Sequence, residues 1–473
     1  MVDNSYQAVM SRRPEIMKKA VGIDYMTFET GGLGFDYEAM MSKVAFSLDK
    51  IKEIQRETGV GNTPLLELKN MTALARHYAA PGKGARIFVK DEACNPSGSF
   101  KARRASVSAY FAKNNGYEGL VSATSGNYGA GIASQAAIRG LNAIIVQEVF
   151  DSRGIGQPEI LEKGRACEAY GAEVLQLTVG PELFYTFLLV LERTGYFNAS
   201  LYTPFSIAGI ETLGVEIAEQ CQALAGRKPD VVVATNAGGG NLTGTARGLR
   251  KAGCTDTQVV GASVDLSGLH MASDRDFNRK SFTTGHTGFG VPFTTAPDRA
   301  DVPRNAARPL RYLDRYVTVT QGEVFFITEA LAQLEGLERG PAGNTSLAAA
   351  FSVAQEMDQD QVLVVQETEY TGAGKHPSPQ LTFAKANGIE VRRGDPKENV
   401  PGKCIVIPEN AKQIKAQDLS VDKLRRSYLR NALGSYEGNK LQPHEVEFLS
   451  AELGLTPDKA EVFINEAMNQ RGK

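Results

Sequence analysis

Three times along this chain an apolar run stops at a loop of small residues and restarts as a helix, and this punctuation narrows the fold more than any other feature. The first loop, Asn95-Pro96-Ser97-Gly98-Ser99-Phe100-Lys101, follows the run Arg86-Ile87-Phe88-Val89-Lys90. Its Asn-Pro-Ser-Gly-Ser cannot continue a strand, so the chain breaks and a helix is expected from Lys101 to Lys113. The second, Thr124-Ser125-Gly126-Asn127-Tyr128-Gly129, follows Gly119 to Ala123 and opens a helix from Ala130 to Arg139. The third, Asn236-Ala237-Gly238-Gly239-Gly240-Asn241-Leu242-Thr243-Gly244, follows Asp230 to Thr235 and opens another. Strand, loop and helix in alternation give an α/β fold with parallel-rich sheets. The expected strands are Arg86 to Val89, Gly119 to Ala123, Ala143 to Val149, Glu173 to Leu177, Val231 to Thr235, Val259 to Val264 and Val362 to Gln366.

Each loop carries its own chemistry. A free lysine with a pKa of about 10.4 is neutral at pH 7 in only roughly one molecule in a few thousand, so a lysine that must form an imine needs burial or neighbouring cations. Arg103 and Arg104 are the nearest candidates for such cations. The backbone amides of the second loop leave a helix N-terminus, where the free N–H groups and the helix dipole favour a carboxylate or phosphate. Asn127 adds a side-chain donor; the plain alternative is capping by Thr124 or Ser125. Three consecutive glycines in the third loop let N–H groups approach a phosphate closely. Gly238, Gly240 and Thr243 also approximate the Gly-x-Gly-x-x-Gly of a dinucleotide site, with Asp265 ending the next strand. That reading lacks its third glycine and gives Lys101 and the Asn127 loop no role.

Composition removes several function classes. The 473 residues carry 52 basic and 54 acidic side chains with no long run of one sign, so neither nucleic acid nor a membrane surface is an expected partner. Five cysteines, odd in number and widely spread, argue against disulfides and a zinc knuckle and for a reducing cytosol. The first thirty residues contain no apolar core of a secretion signal, and no apolar run reaches the ~18 residues of a membrane span. Residues 1–57 form a polar, amphipathic N-terminal extension. Residues 396–473 are expected to be helical, with amphipathic helices at Gln417 to Gly434, Pro443 to Leu453 and Pro457 to Arg471 that pack on the body or on a second subunit.

Taken together, Gly61-Asn62-Thr63-Pro64-Leu65 and the three loops resemble the threonine synthase and cysteine synthase branch of pyridoxal-phosphate enzymes, over residues 58–395. The resemblance implies a two-domain fold type II architecture, similar to the tryptophan synthase beta chain. Residues 58–100 and 225–395 would form the large cofactor-binding domain and 101–224 the small one. It further implies that Lys101 joins the cofactor covalently, Asn127 bonds the ring hydroxyl, and Gly238, Gly239, Gly240, Asn241 and Leu242 hold the phosphate. Thr124, Ser125, Gly126 and Tyr128 would take the substrate carboxylate. Thr371, in Thr371-Gly372-Ala373-Gly374-Lys375, would meet the pyridine nitrogen, with Thr368 as the competing hydroxyl. After the lysine, threonine synthases continue Asp-Arg-Gly, whereas this chain reads Ala102-Arg103-Arg104.

Longer stretches are similar to the large (beta) subunits of 2-amino-4-oxopentanoate thiolases of ornithine degradation. They include Met10-Ser11-Arg12-Arg13, Gly180-Pro181-Glu182-Leu183-Phe184-Tyr185, Asp265-Leu266-Ser267-Gly268-Leu269-His270-Met271 and Thr284-Gly285-His286-Thr287-Gly288-Phe289-Gly290. This resemblance implies thiolytic cleavage with coenzyme A to alanine and acetyl-CoA, a small alpha subunit as partner, and an oligomer. A threonine synthase-type elimination or replacement enzyme, or a protein that only binds the cofactor and regulates, would use the same loops. Coenzyme A brings phosphates, for which Arg275, Arg279, Lys280, Arg299, Arg304, Arg308, Arg311 and Arg315 are candidate cations. Asp274, Asp276, Asp298, Asp301 and Asp314 interleave with them, so a salt-bridged surface is the plainer reading of any one. His270 and His286 are candidate acid/base groups or loop hydrogen-bonders.

Overall fold

The computed structural model describes residues 3–44, 46–124, 126–267, 276–283, 305, 307–367, 369, 377–434 and 436–470. Two sheets organise them. The larger runs in the order Gln417–Asp418, Arg315–Val319, Gln258–Val264, Val231–Thr235, Val362–Glu367, Arg86–Asp91 and Leu65–Glu67. Its inner pairings are parallel, and only the two edge strands run antiparallel. The smaller has the order Glu173–Thr178, Asn142–Phe150, Gly119–Thr124 and Phe197–Asn198, all parallel.

The central strands are β-branched and buried on both faces, as a parallel sheet covered by helices on each side demands. Val231–Thr235 and Val362–Glu367 pair from Leu363 against Val231 to Gln366 against Ala234, in continuous register. All seven expected strands are present, Val231–Thr235 with the expected bounds and the other six longer by one or two residues. Arg315–Val319, Glu390–Gly394, Cys404–Pro408 and five short strands of two or three residues were not expected. The first lies behind a run of arginines, and Glu390–Gly394 is too charged to read as a strand.

Residues 396–473 are not wholly helical. Cys404–Pro408 pairs in parallel with Glu390–Gly394, and Gln417–Asp418 extends the large sheet before the helix Val421–Gly434 begins. The next two helices, Pro443–Leu453 and Pro457–Gln470, fall where expected. Their apolar faces, with Leu449, Leu453 and Ile464, join one core with Leu310, Tyr312 and Leu242. The N-terminal extension is equally integrated. Val9, Ile16, Val21, Tyr37 and Met40 are buried in the core that also holds the small sheet. Its Gln55 carboxamide donates to the backbone oxygens of Arg103, at 3.3 Å, and Gly209, at 2.7 Å. No helix among the described residues is long and apolar enough to cross a membrane.

Candidate active site

All three loops lie at carboxyl ends of parallel strands, where open α/β sheets collect their ligands. Lys101 is the first residue of the helix Lys101–Asn114, which starts without a side-chain cap. The turn before it places Ser97 at φ 65° and Gly98 at φ 71°, left-handed positions that break the strand direction. The Lys101 ammonium stands 4.0 Å from the centre of the Phe100 ring. The residue as a whole is half-buried. Burial of the ammonium, then the Arg104 guanidinium, pushes its pKa down to about 7; Lys163 adds to this and Glu369 opposes it.

The two arginines after the lysine part company. Arg104 donates to the carbonyl of Leu201 at 2.9 Å and lies over the rings of Phe100 and Tyr202, at 5.4 and 5.9 Å. Arg103 turns away into a buried ionic network. It donates to Glu92 at 2.6 Å, to Glu216 at 2.7 Å and to Thr212 at 3.0 Å. Lys90 completes that network, 2.8 Å from Glu216. The Arg103 expectation is therefore corrected: of the two arginines, Arg104 alone acts on Lys101, because Glu92 and Glu216 claim its neighbour.

The triple-glycine loop leads into the helix Gly240–Lys251, whose N-cap, Gly239, sits at φ 86° and supplies no side-chain cap. The side chains that follow are occupied in holding the loop. Gln366 donates to Asn241 at 2.8 Å, and the Thr243 hydroxyl donates to the carbonyl of Ala307. Backbone N–H groups are thus left as the anion donors of this helix start. Tyr202 and Arg104 wall the loop: a Cβ on Gly238 would collide with the Tyr202 hydroxyl, and one on Gly240 would lie 2.8 Å from Arg104 Nη2. A cradle of uncapped amides, beside an arginine and a lysine of depressed pKa, fits an aldehyde that carries a phosphate.

The Asn127 loop differs from expectation in detail. Its helix begins at Asn127, with Gly126 at the cap position and no side-chain cap, while the Gly126 N–H donates to Thr124 Oγ1 at 3.0 Å. Tyr128 points its hydroxyl into the core, 2.8 Å from Ser206 Oγ, so it offers the site only its backbone. Asn127 Nδ2 donates to the carboxylate of Glu369. That carboxylate lies 3.8 Å from Lys163 Nζ, which is itself 2.5 Å from Glu159 Oε1. Sequence reasoning missed Tyr202, Lys163, Glu159 and Glu369. Glu159 and Lys163 have the i, i+4 spacing of an ordinary surface pair, and nothing local marks them as buried.

Ser125, Thr368, Thr371, His270, His286, Arg275, Arg299, Arg304, Asp274, Asp298 and Asp301 lie outside the described residues. Three arginines of the basic stretch do take the salt-bridged role. Arg308 pairs with Glu38, Arg311 with Glu452 at 3.3 Å, and Arg315 with Asp418 at 2.6 Å. Glu38, from the N-terminal extension, also meets Arg247. Burial would raise the Glu38 carboxyl, but Arg308 and Arg247 outweigh it and hold it at about 2.

With this geometry in place, comparison with known proteins finds the family described as pyridoxal-phosphate dependent enzyme across residues 56–368. The chain belongs to that family. The 2-amino-4-ketopentanoate thiolase beta subunit of Acetoanaerobium sticklandii is 67% identical over 95% of this chain and 96% of its own length. A second protein of that name, from an unknown prokaryotic organism, is 65% identical over 95% of each chain. The crystal structure of O-ureido-L-serine synthase, 22% identical, superposes with a TM-score of 0.51 over 66% of this chain and 90% of that one. The superposition carries the fold type II architecture, and the family carries the cofactor, pyridoxal 5'-phosphate. Membership removes the dinucleotide reading of Gly238 to Thr243.

Proposed function

We propose that this chain is the large subunit of a thiolase that cleaves 2-amino-4-oxopentanoate with coenzyme A, giving alanine and acetyl-CoA. The observation that supports it best is the 67% identity, over 95% of the chain, to a protein named 2-amino-4-ketopentanoate thiolase beta subunit, which is the same compound under its other name. A small alpha subunit and coenzyme A are the partners, in an oligomer of the cytosol; all five cysteines are unpaired, in keeping with that compartment. The chain divides into a large domain of residues 58–100 and 225–395 and a small domain of 101–224, with extensions at both ends.

Lys101 bears the cofactor, Gly238 to Leu242 hold its phosphate with Arg104 beside them, and Asn127 faces its ring. The hydroxyl for the pyridine nitrogen is assigned by resemblance to Thr371, with Thr368 as the alternative. The amides of Thr124 to Tyr128 take the substrate carboxylate. Bound pyridoxal phosphate supplies an electron sink for charge that develops next to the substrate amine. Lys101 Nζ takes the Cα proton, and returning protons to the three-carbon product completes alanine. A lysine poised near neutrality suits both directions of that transfer.

Two outcomes test the site. The rate at which the cofactor-free protein captures pyridoxal phosphate is expected to rise with pH through a midpoint near 7, because only the neutral amine attacks and the Lys101 pKa is about 7. A midpoint near 10 in a rapid-mixing pH series would remove the desolvated lysine. Gly238→Ala is expected to weaken cofactor retention by about 10- to 100-fold, since its Cβ must displace Tyr202, an overpacking cost of roughly 1–3 kcal/mol. Equilibrium dialysis reads that loss. The function itself is tested by combining the chain with its small subunit, substrate and coenzyme A. Alanine and acetyl-CoA in equal amounts are expected, and products without acetyl-CoA would replace thiolysis by an elimination or replacement reaction.

A further inference from the structure

A buried ionic cluster stands near Lys101 and meets the cofactor site only through the bond from Asn127 to Glu369. Lys163 of the helix Pro158–Ala169 places Nζ 2.5 Å from Glu159 Oε1 and 3.8 Å from Glu369 Oε2, and the side chains are 7%, 0% and 2% exposed. Gln380 donates to the other oxygen of Glu159 at 3.2 Å, and Asn127 donates to Glu369. The lysine runs directly beneath the anion loop: a Cβ built on Gly126 would lie 2.9 Å from its Cδ and 3.3 Å from its Nζ. Burying ions costs several kcal/mol each, and apolar residues of similar volume are often at least as stabilising, so packing alone gives no reason for the cluster.

Its charge decides what it can serve. Its one ammonium already faces two carboxylates, so it has no surplus positive charge for a third, and the substrate's own carboxylate already has the uncapped helix amides above. Burial alone would lower the Lys163 pKa, but Glu159 and Glu369 outweigh it and hold it above the ordinary lysine value. Lys163 is therefore a permanent donor and not a base. The guest that suits such a donor is a neutral oxygen that gains charge only during reaction.

We infer that Lys163 is a catalytic residue that donates a hydrogen bond to the 4-oxo oxygen of the substrate, an inference that rests on the thiolase reading. The sulfur of the coenzyme A thiolate adds to C4, and the carbonyl π pair moves onto that oxygen, which the ammonium stabilises. When the carbonyl re-forms, the C3–C4 bond breaks and its electron pair goes to C3. Lys163 keeps its proton throughout. Glu159 and Glu369 hold the ammonium in place, and Gly126, which has no Cβ, lets the lysine pass close beneath the loop.

The test uses holoenzyme without coenzyme A, with 2-amino-4-oxopentanoate and 2-aminopentanoate titrated against the visible spectrum of the bound cofactor. Wild-type protein is expected to prefer the oxo acid by about tenfold or more, the scale of a hydrogen bond to a charged group. Lys163→Met is expected to bind both alike, with 2-aminopentanoate within about twofold of wild type on the same scale. Preference retained in the variant, or equal loss of both ligands, would overturn the inference while leaving thiolysis standing. A wild-type protein blind to the oxo group would overturn the inference as well, and release of acetyl-CoA and alanine decides the thiolase reading independently. Because a variant of a buried lysine can fail to fold, the carbonyl stretch of 4-13C-labelled substrate on wild-type holoenzyme is measured as well. A shift below its frequency in water is expected, and none would remove the hydrogen bond.

Discussion

Lys101→Ala is expected to give a folded protein with no covalently attached chromophore and thiolysis lowered by at least about 10³-fold, within the range of a lost general acid/base. Both effects follow from the roles proposed for one nitrogen, as the anchor of the cofactor and the carrier of the Cα proton. The neighbouring lysine cannot substitute. Lys163 is held protonated by Glu159 and Glu369, so it lacks the free pair that attachment needs. Arg104 never offers one at accessible pH. Borohydride reduction followed by peptide mapping checks the attachment, and acetyl-CoA release checks the turnover. Substantial thiolysis surviving in the variant would remove Lys101 from the reaction.

Arg103→Ala is expected to be the most destabilising single change in this part of the fold, by about 3–5 kcal/mol, since it leaves buried carboxylates without their cation. Glu92 and Arg103 have fully buried side chains, and Glu216 is 13% exposed. Burial would raise the Glu216 carboxyl, but Arg103 and then Lys90 outweigh it and hold it at about 2. A carboxyl lowered in the folded state adds stability that is fully present above the unfolded value near 4.5 and is lost as pH falls towards 2. The wild-type protein is therefore expected to lose stability on acidification across that window, and Arg103→Ala to lose much of that dependence. Urea unfolding of both proteins from pH 3 to 7 checks the claim. A variant of unchanged midpoint would show that Lys90 alone satisfies both carboxylates.

The places where sequence reasoning succeeded share a physical cause. Strands such as Val231–Thr235, and the loops that end them, are legible because β-branched runs, glycines and helix starts act within a few residues of chain. Lys101 is legible for the same reason, standing where a turn hands over to a helix. Arg103 and Arg104 are adjacent in sequence yet fall on different sides of that helix, one to Glu216 and one to Tyr202, and no local pattern separates them. Lys163 and Glu369 are 206 positions apart by their numbering and meet only because the small sheet's helix faces the end of Val362–Glu367. Cys404–Pro408 was read as part of a helical tail because the prolines and lysines around it hid a short apolar run.

The bond from Gln55 to the backbone of Arg103 and Gly209 bears on where this catalytic body begins. The family match starts at residue 56, one position beyond that glutamine. Two interior carbonyls, one of them two residues from Lys101, take their donor from the segment just before. The opening fifty-odd residues of this chain thus lie outside the family match and yet brace, through Gln55, the helix that begins at Lys101.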